Sequence, residues 1–204
     1  MAIDDKKHRE LMTKFIEYAE KEHYDNEGLR TTLSKKYPAI TKEFLIEVEK
    51  PYNHYGSRGF IDVLFSVGFS TSICEVKPVL YNLGEAIRQL RRAHDAIKKN
   101  AITDFHINDL IYLRLVTNFS EENIAIIRKS YSILKNIKEL IIDLYCEYND
   151  EFYFITSNSI SNYMIEKYGD PLLHRWEMCK NKESQNDMEA LQRAKTKILM
   201  EKNR

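Results

Sequence analysis

The chain is poor in the residues that most often announce a function. It has 3 cysteines, Cys74, Cys146 and Cys179, too few and too scattered for a disulfide framework or a zinc site, and an odd count suits a reducing compartment. Its 6 histidines are dispersed, with no metal-ligand spacing among them. Basic and acidic side chains balance at 31 each, so the molecule as a whole has no attraction for nucleic acid, and any hold on a polyanion must come from a local patch. No apolar run approaches membrane-spanning length, and the amino terminus, MAIDDKKHRE, is charged where a signal peptide would be apolar. An intracellular, cytoplasmic protein with no membrane partner is expected. Glycine and proline are scarce, at 6 and 4, and no repeat or low-complexity tract is visible. Frequent Ile, Lys, Tyr and Glu suit an AT-rich or thermophilic source. What remains is 204 residues, 43% hydrophobic and 30% charged: one domain's worth of an ordinary globular composition.

The informative stretch runs from Gly59 to Ala93, GFIDVLFSVGFSTSICEVKPVLYNLGEAIRQLRRA. Phe60 to Val67 predicts a strand with Asp62, Leu64 and Ser66 on one face and Ile61, Val63, Phe65 and Val67 on the other. A hairpin through Val67, Gly68, Phe69 and Ser70 brings Asp62 alongside Glu75 on the next strand. Glu75 and Lys77 share a face there, while Cys74 and Val76 point the other way. Two carboxylates and a lysine at one sheet edge suit metal-dependent phosphodiester hydrolysis, because hard carboxylate oxygens hold Mg²⁺ and leave it several waters. A lysine in that place orients the attacking water or neutralises charge building on the phosphorane. An exposed strand with a cross-strand ion pair is the plain alternative, but it leaves unexplained why polar groups punctuate runs this apolar.

Along the rest of the chain, Asp4 to about His23 predicts an amphipathic helix with Leu11, Phe15, Tyr18 and Ala19 on its stripe. Residues 25–42 read as a loop, and Glu43 to Pro51 as a first strand ended by Pro51, with Phe44, Ile46 and Val48 buried and Glu47 and Glu49 opposite. Pro78 breaks the lysine strand. Leu83 to about Asn100 predicts a helix with Leu83, Ala86, Ile87, Leu90, Ala93 and Ile97 as its stripe and Gln89 beside it. Its other surface carries Arg88, Arg91, Arg92, Lys98 and Lys99, which with Arg58 form the best candidate phosphate-binding surface. Strands are expected over Asp109–Thr117, Lys138–Tyr148 and Glu151–Thr156, and helices over Glu121–Lys135, with Ser120 as cap, and Ser157–Lys167. Trp176 is expected to pack on the core. Residues 181–204 read as a C-terminal helix or tail, and the stripe Met188, Leu191, Ile198 and Leu199 leads to the expectation of a homodimer. The pattern is that of an α/β protein, a mixed central sheet flanked by helices in a single domain with its core at about 40–160.

The ordered set G-F-I-D, E-V-K and Q-L resembles the PD-(D/E)xK nuclease superfamily, the restriction-endonuclease-like fold shared by many restriction enzymes, archaeal Holliday-junction resolvases and RecB-type nuclease domains. The resemblance covers roughly the middle third of the chain. It implies that Asp62 and Glu75 are metal ligands together with the backbone carbonyl of Val76, that Lys77 is the catalytic lysine, and that Gln89 is the glutamine of RecB-like members. Two positions depart from the pattern: Ala93 stands where an aromatic residue is frequent, and Ile61 where a proline often precedes the first acid. Junction resolvases add a carboxylate from their first helix, and Glu10 is the nearest match by context, with Glu17, Glu20 and Glu22 competing. The resemblance implies a DNA nuclease using Mg²⁺ or Mn²⁺ and no organic cofactor. A nucleic-acid-binding or structural protein that keeps the fold without cutting is the alternative.

Overall fold

Six strands build one mixed sheet in the order β1 to β6, each beside its sequence neighbour. The computed structural model describes residues 3–25, 41–54, 57–102 and 104–180. Its elements are α1 (Ile3–Asp25), β1 (Thr41–His54), β2 (Ser57–Gly68), β3 (Ser70–Val76), α2 (Leu83–Lys98), β4 (Leu110–Asn118), α3 (Glu121–Lys129), α4 (Tyr131–Leu134), β5 (Leu140–Cys146), β6 (Glu151–Thr156) and α5 (Asn162–Tyr168). Residues 171–180 are also helical. Strands β1, β2 and β3 form an antiparallel meander, β3, β4 and β5 run parallel, and β6 returns antiparallel. The α/β class and the helix-flanked mixed sheet are therefore as expected. Among the described residues no helix is long and apolar enough to cross a membrane. The stripe Met188, Leu191, Ile198 and Leu199, on which the expected homodimer rests, lies outside the described residues.

Each sheet face has its own core. Helix α2 buries Leu83, Ala86, Ile87, Leu90, Ala93, Ala96 and Ile97 against Leu64, Ile73, Leu113 and Leu115, a cluster that extends through Ile124, Ile127, Ile142 and Leu144. Helix α1 lays Leu11, Phe15 and Ala19 on Val63, Phe65, Cys74, Val76 and Val116. On that second face Arg114 forks onto Asp143 at 2.8 and 2.6 Å, beneath the rings of Phe15 and Phe65. Asp143 is fully buried, so the pair is held by geometry: a bidentate fork meets both carboxylate oxygens where either charge alone would be costly.

Several boundaries differ from expectation for local reasons. Pro51 does not end β1, which pairs on to His54, because an edge strand needs no amide from a proline on its open side. Val48, expected inside, is half exposed on that edge. The helix expected over Glu121–Lys135 breaks at Ser130, whose hydroxyl bonds back to the carbonyl of Ile126 at 3.0 Å. Alternation along β2 also fails once. Ile61 packs in the α2-side core and Val63 in the α1-side core, although period two would put them together. Between them lies Asp62, and across β1 the facing position is Glu49, at φ 48°. A non-glycine residue in the left-handed region marks a local irregularity of the strand pair at the point where alternation breaks.

Cys146 and Cys179 are bonded, 33 positions apart in sequence, and Cys74 is free and buried. The cysteine count did not anticipate this pair, and a reducing compartment would hold such a pair as thiols.

Candidate active site

The hairpin that joins β2 to β3 turns through Gly68, at φ 60°, and sets Val67 opposite Ser70 and Val63 opposite Cys74. Continued by one residue, that register places Asp62 beside Glu75. The ladder stops there because Asp62 takes over: its Oδ2 accepts the backbone N–H of Val76 at 2.7 Å. Glu75 is 4% exposed and faces Leu115 on β4. Lys77 follows as β3 ends, its backbone N–H donating to the Val116 carbonyl at 2.8 Å and its Nζ lying 2.6 Å from Glu75 Oε1. The lysine is thus anchored at its backbone by the parallel ladder and at its tip by a carboxylate.

Burial dominates the electrostatics. It raises the Asp62 carboxyl above the usual range, opposed by the Val76 N–H and by the charges of His8 and Lys77, with Glu49 adding to the rise. Burial and then the charge of Asp62 push Glu75 up to about 7, against the pull of Lys77. Two neighbouring carboxylates that each resist ionisation form a low-dielectric acidic pair, and a divalent cation between them would relieve both costs.

Three elements bring further groups. On α2, Glu85 adds its charge to Glu75, and Gln89 one turn later has a buried Oε1 with no hydrogen-bond partner. An orphaned buried carbonyl oxygen is costly unless a donor or a cation meets it, so it fits a hydrated metal ion nearby. From α1, His8 Nε2 lies 3.8 Å from Asp62 Oδ1. From β1, the nearly buried Tyr52 lies over Gly59, where a Cβ would come 2.5 Å from the tyrosine oxygen, so any larger residue here would displace the tyrosine ring. Burial raises the Tyr52 hydroxyl, with Arg92 lowering it and Glu75 raising it. Arg92 therefore belongs to the same neighbourhood as the carboxylates.

Asp62, Glu75, Val76 and Lys77 come together where β3 ends beside the middle of β2. Glu10 stands elsewhere, exposed on α1 in an ion pair with Lys6 at 3.6 Å, and the α1 residue that approaches Asp62 is His8. Glu47 pairs with Lys50 at 2.7 Å, while Glu49 acts on Asp62. Arg58, Arg88, Arg91 and Arg92 are all exposed, and Arg88 pairs with Glu85. Sequence reasoning did not find His8, Tyr52 or Glu85. For Tyr52 a signal existed in the glycine, since a glycine inside a strand often marks close approach by a neighbour. Among the described residues no three His, Cys, Asp or Glu side chains gather as a metal cluster. Two carboxylates with a backbone carbonyl are nevertheless enough for a cation that keeps several waters. Comparison with protein-family models, with curated proteins and with solved structures finds no match.

Proposed function

We propose that the chain is a metal-dependent DNA nuclease with a restriction-endonuclease-like core. The observation that carries this reading is the buried pair Asp62 and Glu75, whose acidity is suppressed by burial and proximity, with Lys77 2.6 Å from Glu75. The order of elements adds support, since a helix, a three-stranded antiparallel meander, a helix and a parallel fourth strand are what the resemblance leads one to expect.

In this mechanism Asp62, Glu75 and the Val76 carbonyl would hold Mg²⁺ or Mn²⁺, and the orphaned Gln89 Oε1 would be an acceptor beside them. When bound, the cation supplies Lewis-acid polarisation of the phosphate and lowers the pKa of water. Lys77, fixed at both ends, orients the attacking water and balances charge that grows on the phosphoryl oxygens. His8 faces Asp62 and holds its carboxylate toward the site. Arg58, Arg91 and Arg92 take flanking phosphates, and Arg88 does so less freely because Glu85 already pairs with it.

The test is cleavage of linear, nicked, single-stranded and four-way-junction DNA with Mg²⁺, Mn²⁺, Ca²⁺ or EDTA. Mg²⁺ or Mn²⁺ should support cutting and Ca²⁺ binding alone. Lys77→Ala should bind metal yet lose about 10²-fold or more in rate, as when one transition-state donor is removed. Equal cutting in EDTA removes the proposal, and DNA binding with no cutting under any metal favours the non-catalytic alternative.

A further inference from the structure

Next to the carboxylate site, on the far side of Lys77, a cleft of about 690 Å³ opens at the carboxyl ends of β4 and β5. Its volume falls in the range of small-molecule sites, roughly 300–1,000 Å³. The lysine turn forms one wall, since Pro78 and Val79 follow Lys77 directly. Buried Asn123 fixes that turn: its Nδ2 donates to the Pro78 carbonyl at 2.9 Å and its Oδ1 accepts the Leu80 N–H at 2.9 Å. Glu147 and Tyr148 form a second wall, and Trp176 and Lys180 a third. The bond between Cys146 and Cys179 ties these two walls together one residue away from each.

The chemistry inside the cleft is aromatic and acidic. Trp176 is already engaged, with Phe119 edge-on at 5.0 Å and the Lys180 ammonium 4.9 Å from its ring. Tyr148 lies 6.4 Å from Trp176 and is 50% exposed, so it still offers surface for stacking. Val79 is 37% exposed on the turn. Carboxylates outnumber cations at the rim: Glu121, Glu122 and Glu147 against Lys180, which pairs with Glu121 at 3.3 Å. Such a rim repels phosphate and accepts hydrogen bonds, and carboxylates accept from exocyclic base amines. An aromatic wall stacks any base, so the acceptors must do the selecting.

We infer that this cleft takes one unstacked, amino-bearing nucleobase (adenine, cytosine or guanine, in preference to thymine) from single-stranded DNA next to the scissile phosphate. The inference rests on the nuclease reading for its location on the substrate path, and its chemistry stands on the cleft itself. The base lies against Tyr148 with its amino group toward Glu147, while its phosphate stays outside the acidic rim and runs toward Lys77. The site therefore favours single strands, frayed ends or flipped bases, because a paired base cannot enter.

Trp176 is the chain's sole tryptophan, so it reports on this cleft alone. The full-length chain in EDTA, which prevents cutting, is titrated with six-nucleotide oligo(dC), oligo(dA) and oligo(dT), and Trp176 fluorescence is followed. Oligo(dC) and oligo(dA) should change the emission saturably, with affinity about tenfold or more above oligo(dT), as for one base-selective contact of 1–3 kcal/mol. Tyr148→Ala, which leaves the Phe119–Trp176 contact in place, should weaken binding roughly ten- to a hundredfold. Glu147→Gln should keep the fold and erase the preference over oligo(dT). No fluorescence change, equal affinity for all three oligonucleotides, or unchanged affinity in Tyr148→Ala overturns the inference. A chain that cuts DNA with Mg²⁺ but fails this titration loses the subsite alone, and one that passes it but cuts nothing loses only the nuclease reading.

Discussion

Glu75 is the residue whose chemistry is altered most by where the chain puts it. Its carboxyl ordinarily titrates at 4.5 and is pushed up to about 7 in the fold. Between those values the folded chain keeps a proton that the unfolded chain has released, so stability falls as pH rises from about 4.5 to about 7 and stays lower above. At 1.36 kcal/mol per unit, the shift corresponds to roughly 3 kcal/mol lost by neutral pH. Replacing the carboxylate by its neutral isostere should recover part of that cost, because Lys77, about a third exposed, can be hydrated without its partner. Glu75→Gln should therefore melt higher than wild type at pH 8 without divalent metal, by about 1–2 kcal/mol, and match it near pH 5. Added Mg²⁺ should raise the wild-type melting temperature and leave Glu75→Gln unmoved. A variant that is less stable at pH 8 would mean that the pair with Lys77 outweighs burial. This conflict between stability and chemistry is expected of a site that presents charge where charge is costly.

At the scale of elements, the helix from residues 171 to 180 depends on one covalent tie, since Cys179 is bonded to Cys146 at the end of β5. A bond closing a loop of this length restricts the unfolded chain by about 3–4 kcal/mol in the loop-entropy account. Reduction, or Cys179→Ser, should lower unfolding stability by about 2–4 kcal/mol and loosen the cleft at Trp176, and should leave the proposed metal site unchanged because its carboxylates sit on β2 and β3. Metal affinity lost together with the bond would show that the two sites are one cooperative unit. The pairing was not legible in sequence, because it depends on two elements far apart in the chain meeting at one end of the sheet. Elements whose signal is local were legible: β6 spans Glu151–Thr156 as its β-prone run after the Asn149–Asp150 turn predicts, α2 follows its apolar stripe, and Gly68 turns the hairpin. That Asp62 meets Glu75 and Lys77 could be read because the register of one tight turn is enough to set Asp62 opposite Glu75, whereas the break in alternation between Ile61 and Val63 left no local signal. His8 could not, because which side of α1 meets Asp62 is decided by Phe15 and Leu11 docking on the sheet. The irregularity at Glu49 was hidden for the same kind of reason, since no local motif marks a glutamate at positive φ.

For the molecule as a whole, the question is how a chain with 31 charges of each sign holds a polyanion. Net attraction is nil, so the proposed DNA path must follow local potential, and the exposed face of α2 is the strongest candidate. Its three central arginines are not equivalent. Arg88 is neutralised in part by Glu85, Arg92 stands close enough to Tyr52 to act on it, and Arg91 is exposed beside it. Arg58 on β2 extends the path at the other side of Asp62. If Arg58, Arg91 and Arg92 each neutralise one phosphate, log affinity falls against log salt with a slope of roughly −3, at about 0.9 per contact. The double variant Arg91→Ala with Arg92→Ala should flatten that slope by about two units and weaken binding alike across sequences, since phosphate contacts carry no base information. Adding Arg88→Ala should change the slope by much less than one further unit, because its charge is already shared with Glu85. Titration over 50–200 mM salt, in Ca²⁺ to prevent cutting, separates these outcomes. A double variant with the full slope would move the DNA path off α2, whereas a full extra unit from Arg88 would mean that DNA displaces Glu85 from its arginine.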